Sequence, residues 1–209
     1  MRKFKIMFCI LLSSILLLSS CGNIETKNTQ KNTSDSGKNT KDIDENADQA
    51  QKKNIEQKDA DISLKNGYSD SERTIRVLGL KEYKKIKTKK YKDSAKKGKK
   101  YVVLFLEINN KSTQDEYFNV NYLSTTVDGE KIENTFLLNS PEGYPTMFTT
   151  YNANTIFAGY IVWEVPNHWK KLIVNYNGWK DSDGLSLHLQ LKPSNLKSPE
   201  KYDSVIYGK

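Results

Sequence analysis

Hydrophobic and polar residues alternate along much of the chain from residue 74 onward, and a period of two predicts β-strands. The clearest segment is residues 101–109. Its apolar side chains fall on both faces of a strand: Val102, Leu104, Leu106 and Ile108 on one, and Tyr101, Val103 and Phe105 on the other. A strand that is apolar on both faces is covered on both sides. Residues 101–109 are therefore predicted to be a central strand.

The same alternation predicts six further strands at residues 74–80, 117–127, 130–136, 154–165, 172–176 and 185–191, and an eighth strand if residues 82–87 also pair. A change of parity within 117–127 predicts a bulge or bend near Tyr122. Asp128-Gly129 is typical of a hairpin turn, because that turn requires positive φ. No segment in this region has a helical pattern. Short strands with frequent turns predict an all-β sandwich of seven to eight strands.

The N-terminus has a different pattern. Arg2, Lys3 and Lys5 precede a mainly apolar stretch of thirteen residues from 6 to 18, and two serines follow. A basic start, an apolar stretch and small residues at the cut are typical of a secretory signal peptide. A membrane-spanning helix needs about 20 residues, so this stretch is too short to span. Residues 1–20 are predicted to be a signal peptide.

The end of that segment, Leu18-Ser19-Ser20-Cys21, resembles the lipobox of bacterial lipoproteins. The resemblance implies that the Cys21 thiol receives a diacylglyceryl group and that Cys21 becomes the first residue of the mature chain. Each buried CH₂ of an acyl chain contributes about 0.8 kcal/mol to membrane binding, so the protein is expected on the outer face of the bacterial cell membrane. An ordinary signal peptide with a cysteine near its cut is the alternative. Cys9 would be removed, so no intrachain disulfide is expected.

Residues 22–70 are rich in Asn, Lys, Asp, Gln, Ser and Thr, and their apolar residues are isolated. Such a segment buries too little apolar surface to offset the entropy lost on ordering. Residues 21–72, including the lipidated Cys21, are therefore predicted to be a disordered tether that spans roughly 40 Å. The sandwich is placed at residues 73–192, and residues 193–209 are a C-terminal tail.

The formal net charge of +8 is concentrated in one segment, residues 81–100, which contains eleven lysines and two acids. One interpretation is an anionic partner, such as a wall polymer or lipid headgroups. The other is a solvated loop that protects an edge strand. No RNA- or DNA-binding motif accompanies the lysines, so dedicated nucleic-acid binding is not expected. The candidate anion-binding residues are Lys84, Lys85, Lys87, Lys89, Lys90, Lys92, Lys96, Lys97, Lys99 and Lys100.

Residues 140–151 form a loop with two prolines and several aromatic residues. Tyr144, Phe148 and Tyr151 are candidates for an aromatic platform that binds a sugar or a peptide. Alternatively, the three rings plug one end of the sandwich, as large aromatic residues usually pack.

Signals for a metal site or a catalytic site are weak. Asp181-Ser182-Asp183-Gly184 is similar to part of a calcium loop, but Gln190 stands where the closing Glu is needed, so a hairpin turn is preferred. His168 and His188 lack cysteine partners or metal-ligand spacing. No nucleophile motif is present. We expect no metal, no cofactor and no enzymatic activity.

Two segments resemble a known family. Gly98–Asn110 and Ala158–Pro166, the latter followed by Leu172–Tyr176, are similar to motifs of an uncharacterised immunoglobulin-like domain in Gram-positive lipoproteins. That domain is similar in fold to the mycobacterial secreted immunoprotective antigen. The resemblance implies an immunoglobulin-like sandwich and no catalytic residues. The chain departs from the family in its lysine-rich segment and in Trp163, where Phe is more usual.

Together these observations predict a lipid-anchored extracellular protein whose sandwich is a non-catalytic binding module. Its expected partners are the membrane, through the lipid on Cys21, and an anionic wall polymer or a surface protein. A structural or regulatory lipoprotein that acts only through protein partners is the alternative. A hydrolase that uses His168 or His188 is a third hypothesis.

Overall fold

The computed structural model describes residues 55–207. The predicted signal peptide, Cys21 and most of the predicted tether lie outside the described residues. The strands, in chain order, are β1 (Lys58–Ile62), β2 (Tyr68–Ser69), β3 (Arg73–Tyr83), β4 (Lys85–Lys87), β5 (Lys92–Ser94), β6 (Lys99–Asn110), β7 (Glu116–Phe118), β8 (Leu123–Val127), β9 (Glu130–Ile132), β10 (Asn134–Thr135), β11 (Thr149–Tyr151), β12 (Ile156–Pro166), β13 (Leu172–Trp179) and β14 (Leu185–Leu191).

Helical structure in the described part is limited to short turns. Two single-turn helices, α1 (Lys180–Asp183) and α2 (Ser204–Tyr207), accompany three 3₁₀ turns at Val120–Tyr122, Pro141–Gly143 and Pro193–Asn195. Within residues 55–207 there is no helix with the length and apolar character needed to cross a bilayer.

Ten of the strands form two five-stranded sheets. Sheet I has the order β1-β14-β13-β8-β9, and sheet II has the order β10-β12-β6-β3-β2. Two further pairs, β4–β5 and β7–β11, form small ribbons. The predicted all-β sandwich is confirmed. The structure has more strands than the seven to eight predicted. Several short edge strands and ribbons carry too few apolar residues to be recognised from the sequence.

The main core lies between the two sheets. It contains the four alternating leucines of β14 and the inner faces of β3, β6, β12 and β13. Trp163 of β12 is the largest fully buried side chain. Burial of this apolar surface is the main stabilising contribution to the sandwich.

Strand β6 is central, as predicted, because it pairs with β12 on one side and β3 on the other. Its even-numbered apolar residues enter the main core. Val103 and Phe105 enter a second cluster on the outer face of sheet II, together with Tyr144 and Tyr160. The C-terminal residues Tyr202 and Tyr207 also pack there. The apolar residues of β6 are thus covered on one face by the main core and on the other by the second cluster.

The predicted bend near Tyr122 is a 3₁₀ turn, Val120–Tyr122, between β7 and β8. The predicted hairpin joins β8 to β9, and Asp128 and Gly129 have φ values of 51° and 93°. Residues 130–136, predicted as one strand, instead form β9 in sheet I and β10 in sheet II. The chain crosses between sheets here, so a single strand is not possible.

The predicted tether boundary at residue 72 is wrong. Strand β1 pairs in parallel with β14, and β2 pairs with β3. Ala60 and Ile62 of β1 are buried, whereas Asp59 and Asp61 are exposed. Two buried residues are too short a pattern to indicate a strand, and β1 depends on pairing with a distant partner.

Gly184 fixes the start of β1. Its φ is +80°, and a Cβ at this position would overlap the backbone carbonyl of Glu56. Its own carbonyl accepts a hydrogen bond from the Lys58 N–H at 2.8 Å. Only glycine avoids both the strained φ and this overlap.

Replacing Gly184 with alanine is therefore expected to release β1 from β14 and to speed amide hydrogen exchange across residues 58–62. Gly129→Ala is the matched control, because Gly129 also has positive φ but a Cβ there meets no atom within 4 Å. Both variants carry the conformational cost of about 1–2 kcal/mol, and only Gly184→Ala loses exchange protection in β1. Equal protection of β1 in the two variants would contradict this explanation.

The C-terminal segment is part of the fold. Lys197 forms an antiparallel bridge with Leu80 of β3. The Tyr144 hydroxyl donates to the Glu200 carbonyl at 3.0 Å, and the Tyr207 hydroxyl donates to Glu107 Oε2 at 3.0 Å. This segment covers the outer face of sheet II and protects part of the β3 edge from pairing with another chain.

Candidate binding surfaces

The lysine-rich segment contains a β-hairpin formed by β4 and β5, which we call the lysine hairpin (residues 84–94). Its register pairs Lys85 with Ser94, Ile86 with Asp93 and Lys87 with Lys92. The Thr88 N–H donates to the Tyr91 carbonyl at 2.9 Å and closes the turn. Directly opposed residues share a face, so Ile86 and Asp93 lie on the opposite face from the lysine pair.

The face with Ile86 and Asp93 is turned toward the rest of the domain. Ile86 is buried. The Asp93 carboxylate accepts hydrogen bonds from the N–H groups of Leu138 and Asn139 at 3.0 Å and from Asn139 Nδ2 at 2.6 Å. These bonds fix the hairpin on the loop at residues 138–139.

The other face of the lysine hairpin carries exposed lysines. Lys85, Lys87 and Lys92 share this face, and Lys87 lies directly opposite Lys92. Like charges placed opposite each other destabilise a strand pair. Lys84, Lys89 and Lys90 are also exposed. None of the six has a salt bridge to another residue in the described range 55–207.

The remaining candidate lysines lie outside the hairpin and are not equivalent. Lys100 is half-buried and pairs with Glu82 at 2.7 Å, and Lys96 lies 3.7 Å from Glu164. Lys97 is exposed in the turn that precedes β6, and Lys99 is exposed at the first residue of β6. The ten predicted lysines therefore divide into six on the hairpin, two near β6 and two in ion pairs.

The acidic side chains at the base of the lysine hairpin already bind other residues. Glu142 accepts hydrogen bonds from Lys81 Nζ at 2.6 Å and the Tyr83 hydroxyl at 2.7 Å. Both bonds stabilise the carboxylate and hold the pKa of Glu142 below its usual value. Glu82 also accepts from Trp169 Nε1 at 2.6 Å. These acids therefore compensate Lys81 and Lys100 rather than the hairpin.

The predicted aromatic platform is not formed, because its three residues lie in different environments. Tyr144 is buried and packs edge-on against Phe105, with ring centroids 5.0 Å apart. Tyr151 is buried and its hydroxyl donates to Glu116 at 2.8 Å. Burial and the adjacent Glu116 carboxylate raise the pKa of Tyr151. Packing stabilises these two rings inside the domain, and only Phe148 is exposed.

Phe148 instead belongs to a group that the sequence did not predict. Its ring lies edge-on to Tyr117 at 5.5 Å and to Phe136 at 6.5 Å. Leu138 follows two residues after Phe136 and is likewise exposed. We call these four residues the exposed apolar cluster. The signal for it was the run Phe136-Leu137-Leu138, but sequence alone does not show which of these side chains point outward.

A cleft of ≈690 Å³ lies at the end of the sandwich near Arg73. The Arg73 side chain is only 3% exposed and pairs with Glu116 at 2.7 Å and Asp183 at 2.5 Å. Its guanidinium also lies 4.6 Å from the centre of the Trp179 ring. Both carboxylates bind this cation, so the group joins β3, β7 and α1, carries one excess negative charge and leaves Arg73 unavailable to an anionic ligand.

Asp70 lies at the mouth of the same cleft. Burial alone would raise the pKa of Asp70, but hydrogen bonds from the N–H groups of Arg73 and Glu72 and from the Tyr68 hydroxyl lower it below its usual value. Burial, together with its hydrogen bond to Asp70, raises the pKa of Tyr68 to about 12. The folded state thus favours the charged form of Asp70.

Stability is accordingly expected to fall as the pH drops below about 4, the pKa of an unfolded Asp. A lowered folded-state pKa contributes stability that is complete above the unfolded pKa and is lost as pH falls through the folded pKa. Asp70→Asn should be less stable at neutral pH and should lose less stability between pH 7 and pH 3 in urea unfolding. The exposed residue Asp61 supplies the control, and Asp61→Asn should keep the acid dependence of the parent chain. An unchanged acid dependence in Asp70→Asn would contradict the assignment.

The calcium-like residues form a turn, not a loop around an ion. Residues 180–183 are the single turn α1, which ends at Gly184, and Asp183 pairs with Arg73. In the described range there is no group of three or more His, Cys, Asp and Glu side chains that could hold a metal. His188 Nδ1 lies 2.6 Å from Asn175 Oδ1, and His168 is exposed in the turn between β12 and β13.

Comparison with known proteins finds no matching family model and no matching curated protein. Several solved structures are similar. An uncharacterised β-sandwich protein from Clostridium difficile 630 has 15% identity and a TM-score of 0.45, and the match covers 67% of this chain and 99% of that one. The secreted protein MPT63 from Mycobacterium tuberculosis has 15% identity and a TM-score of 0.43, with 65% and 98% covered.

A candidate lipoprotein, ycdA, from Bacillus subtilis is also similar, with 13% identity and a TM-score of 0.46. That match covers 67% of this chain and 40% of the other. None of the three is described by a ligand or a reaction.

Proposed function

We propose that this protein is a lipoprotein, anchored through Cys21 on the outer face of a bacterial cell membrane, whose sandwich binds an anionic polymer without catalysing a reaction. The observation that carries the binding proposal is the lysine hairpin. The anchor is supported by the signal-like N-terminus and by the resemblance of residues 18–21 to a lipobox. The resemblance to Gram-positive lipoprotein domains agrees with this assignment.

The geometry of the hairpin favours an anionic partner. Lys87 and Lys92 are directly opposed, and Asp93, the acid within the hairpin, is bound to Leu138 and Asn139 on the other face. A repeating phosphate or carboxylate chain on the lysine face would relieve the repulsion between these charges. Each lysine near an anionic surface contributes about 1 kcal/mol, and salt screens this attraction over roughly 8 Å.

A non-catalytic role is supported by the contacts of the titratable side chains, which form ion pairs and hydrogen bonds within the domain. Asp70, Glu116 and Asp183 hold the Arg73 cleft together, and Glu82 and Glu142 hold lysines at the base of the hairpin. Such groups act as structural partners, whereas a catalytic acid or base must be accessible to a substrate.

The polymer proposal is tested by retention of the unlipidated chain on immobilised poly(glycerol phosphate). Changing Lys85, Lys87 and Lys92 to Gln should weaken binding about 100-fold, because three contributions of about 1 kcal/mol are lost. The matched control changes Lys65, Lys131 and Lys170 to Gln, which removes the same charge from other exposed positions. Equal loss in both variants would show a nonspecific effect of net charge. Absence of retention at moderate salt would remove the polymer proposal and favour a role through protein partners.

The anchor is tested separately. Cys21→Ser should abolish incorporation of labelled palmitate and release the chain from the membrane fraction, because this substitution removes the thiol that carries the lipid. Cys9→Ser is the control, since Cys9 lies within the removed segment and this variant should be labelled normally. Unchanged labelling and membrane association in Cys21→Ser would overturn the proposed anchor.

A further inference from the structure

We propose that the exposed apolar cluster and the neighbouring lysine hairpin together form a face that docks the domain on an anionic lipid bilayer. This proposal rests on the anchor proposed above, which keeps the bilayer within reach. It adds a second surface and a second partner to the polymer-binding proposal, and the two can fail independently.

The apolar part of the face is held outward by the fold. Phe136 is 62% exposed and Leu138 is 71% exposed. The residues between and after them, Leu137 and Asn139, point inward, because Leu137 packs against the cluster on sheet II and Asn139 is buried. The hydrogen bond from the Leu138 N–H to Asp93 fixes the backbone. Phe136 and Leu138 have no polar side-chain atoms, so both suit the apolar zone of a membrane interface.

Two aromatic rings at the adjacent ribbon extend the exposed apolar surface beside Phe136. Tyr117 lies on the outer face of β7, since its neighbours Glu116 and Phe118 point into the domain. Phe148 lies between Tyr117 and Phe136 and contacts both rings edge-on. Exposed aromatic residues that contact each other rather than the core are typical of an interaction surface. Tyr is also common at membrane–water interfaces.

The charge around the cluster favours an anionic bilayer over an uncharged partner. Of the two acids next to Tyr117, Glu116 pairs with Arg73, whereas Asp115 is exposed and keeps its charge, which the six exposed lysines of the hairpin outnumber. The hairpin itself adjoins the loop that carries Leu138, because Asp93 on its inner face accepts the Leu138 N–H, and its lysines lie on the outer face. Apolar side chains next to lysines match the two parts of a bilayer surface, with acyl chains below and anionic headgroups above.

The length of chain outside the described residues makes the bilayer the favoured occupant. Cys21 and Ile55 are 34 residues apart. Even when fully extended, such a segment reaches no more than about 120 Å. Tethering makes docking an intramolecular event with a high effective concentration, so a weak contact is sufficient to hold the domain on the surface.

The test uses the chain from residue 21 with Cys21→Ser, so that binding does not depend on the lipid anchor. Cosedimentation with vesicles of mixed phosphatidylcholine and phosphatidylglycerol should show binding, and vesicles of phosphatidylcholine alone should bind more weakly. The double change Phe136→Ser and Leu138→Ser should weaken binding at least about tenfold. The matched control is Val205→Ser with Ile206→Ser, because these residues are 69% and 52% exposed on α2.

A second measurement reports insertion directly. Leu138→Cys in the Cys21→Ser background provides a single thiol for an environment-sensitive fluorophore, and its emission should shift to the blue on addition of the mixed vesicles. A label at Val205→Cys should not shift. Equal weakening by both double changes, or no shift at Leu138→Cys, would overturn the proposal. So would self-association in the absence of vesicles that Phe136→Ser and Leu138→Ser abolish, since the occupant would then be a second copy of the chain.

Retention on poly(glycerol phosphate) without vesicle binding would overturn the bilayer proposal and leave the polymer proposal standing. Vesicle binding without retention on the polymer would overturn the polymer proposal and support the bilayer proposal. Because both assays use Cys21→Ser, neither result depends on whether Cys21 is lipidated.

Discussion

Replacing Arg73 with alanine is expected to lower the free energy of unfolding by about 3–5 kcal/mol. Arg73 is almost fully buried, and its partners Glu116 and Asp183 are mostly buried. Removing the cation leaves two carboxylates without their counter-charge in a poorly solvated site. It also removes the contact between the guanidinium and the Trp179 ring. Urea unfolding of the two chains gives the difference directly.

The control for Arg73→Ala is Lys131→Ala, which breaks an exposed ion pair with Glu133. Exposed pairs contribute about 0–1 kcal/mol, so Lys131→Ala should be nearly neutral. Combining Arg73→Met with Glu116→Gln and Asp183→Asn should recover part of the stability, since no uncompensated charge remains. A loss below about 1 kcal/mol in Arg73→Ala would show that the buried charge network is not a major stabilising contribution.

The other large effect is expected at Trp163, which is fully buried at the centre of β12. Trp163→Ala should cost about 3–5 kcal/mol, because it removes a large apolar side chain and leaves a cavity in the main core. Trp163→Phe should cost less, about 1–2 kcal/mol, because the ring is partly replaced and the indole N–H has no hydrogen-bond partner among the described residues.

Phe136→Ala is the control for this pair, since Phe136 is mostly exposed. Its stability should change by less than about 0.5 kcal/mol. If Trp163→Phe is as damaging as Trp163→Ala, then the fit of the indole, rather than apolar burial, determines the stability of this part of the core. Thermal and urea unfolding distinguish the two cases.

Strands with long apolar alternation were predictable because the pattern itself reports burial. Strand β6 has apolar side chains on both faces, and both faces are covered. Strand β14 has four alternating leucines, and all four are in the main core. The hairpin at Asp128-Gly129 followed from local backbone chemistry. In each case the information lies within a few residues of sequence.

Features that depend on distant contacts were not predictable. Strand β1 has only Ala60 and Ile62 as buried side chains, and its structure depends on β14, more than a hundred residues later. Tyr144 and Phe148 lie four residues apart in one loop, yet one is buried and the other is exposed. Sequence chemistry offered a candidate aromatic platform and a candidate lysine surface, each with a structural alternative. It did not show which of them face solvent.

The parallel pairing of β1 with β14 has a mechanical consequence if the domain is anchored through Cys21 as proposed. Any pulling force transmitted from the N-terminal side of the chain enters the sandwich at Lys58, and the five residue pairs between β1 and β14 carry it first. Detachment of β1 up to β2 would lengthen the tether by at most about 35 Å, the extended length of ten residues, while the main core stays intact. The edge strand β1 would thus detach under a pulling force before the rest of the sandwich unfolds.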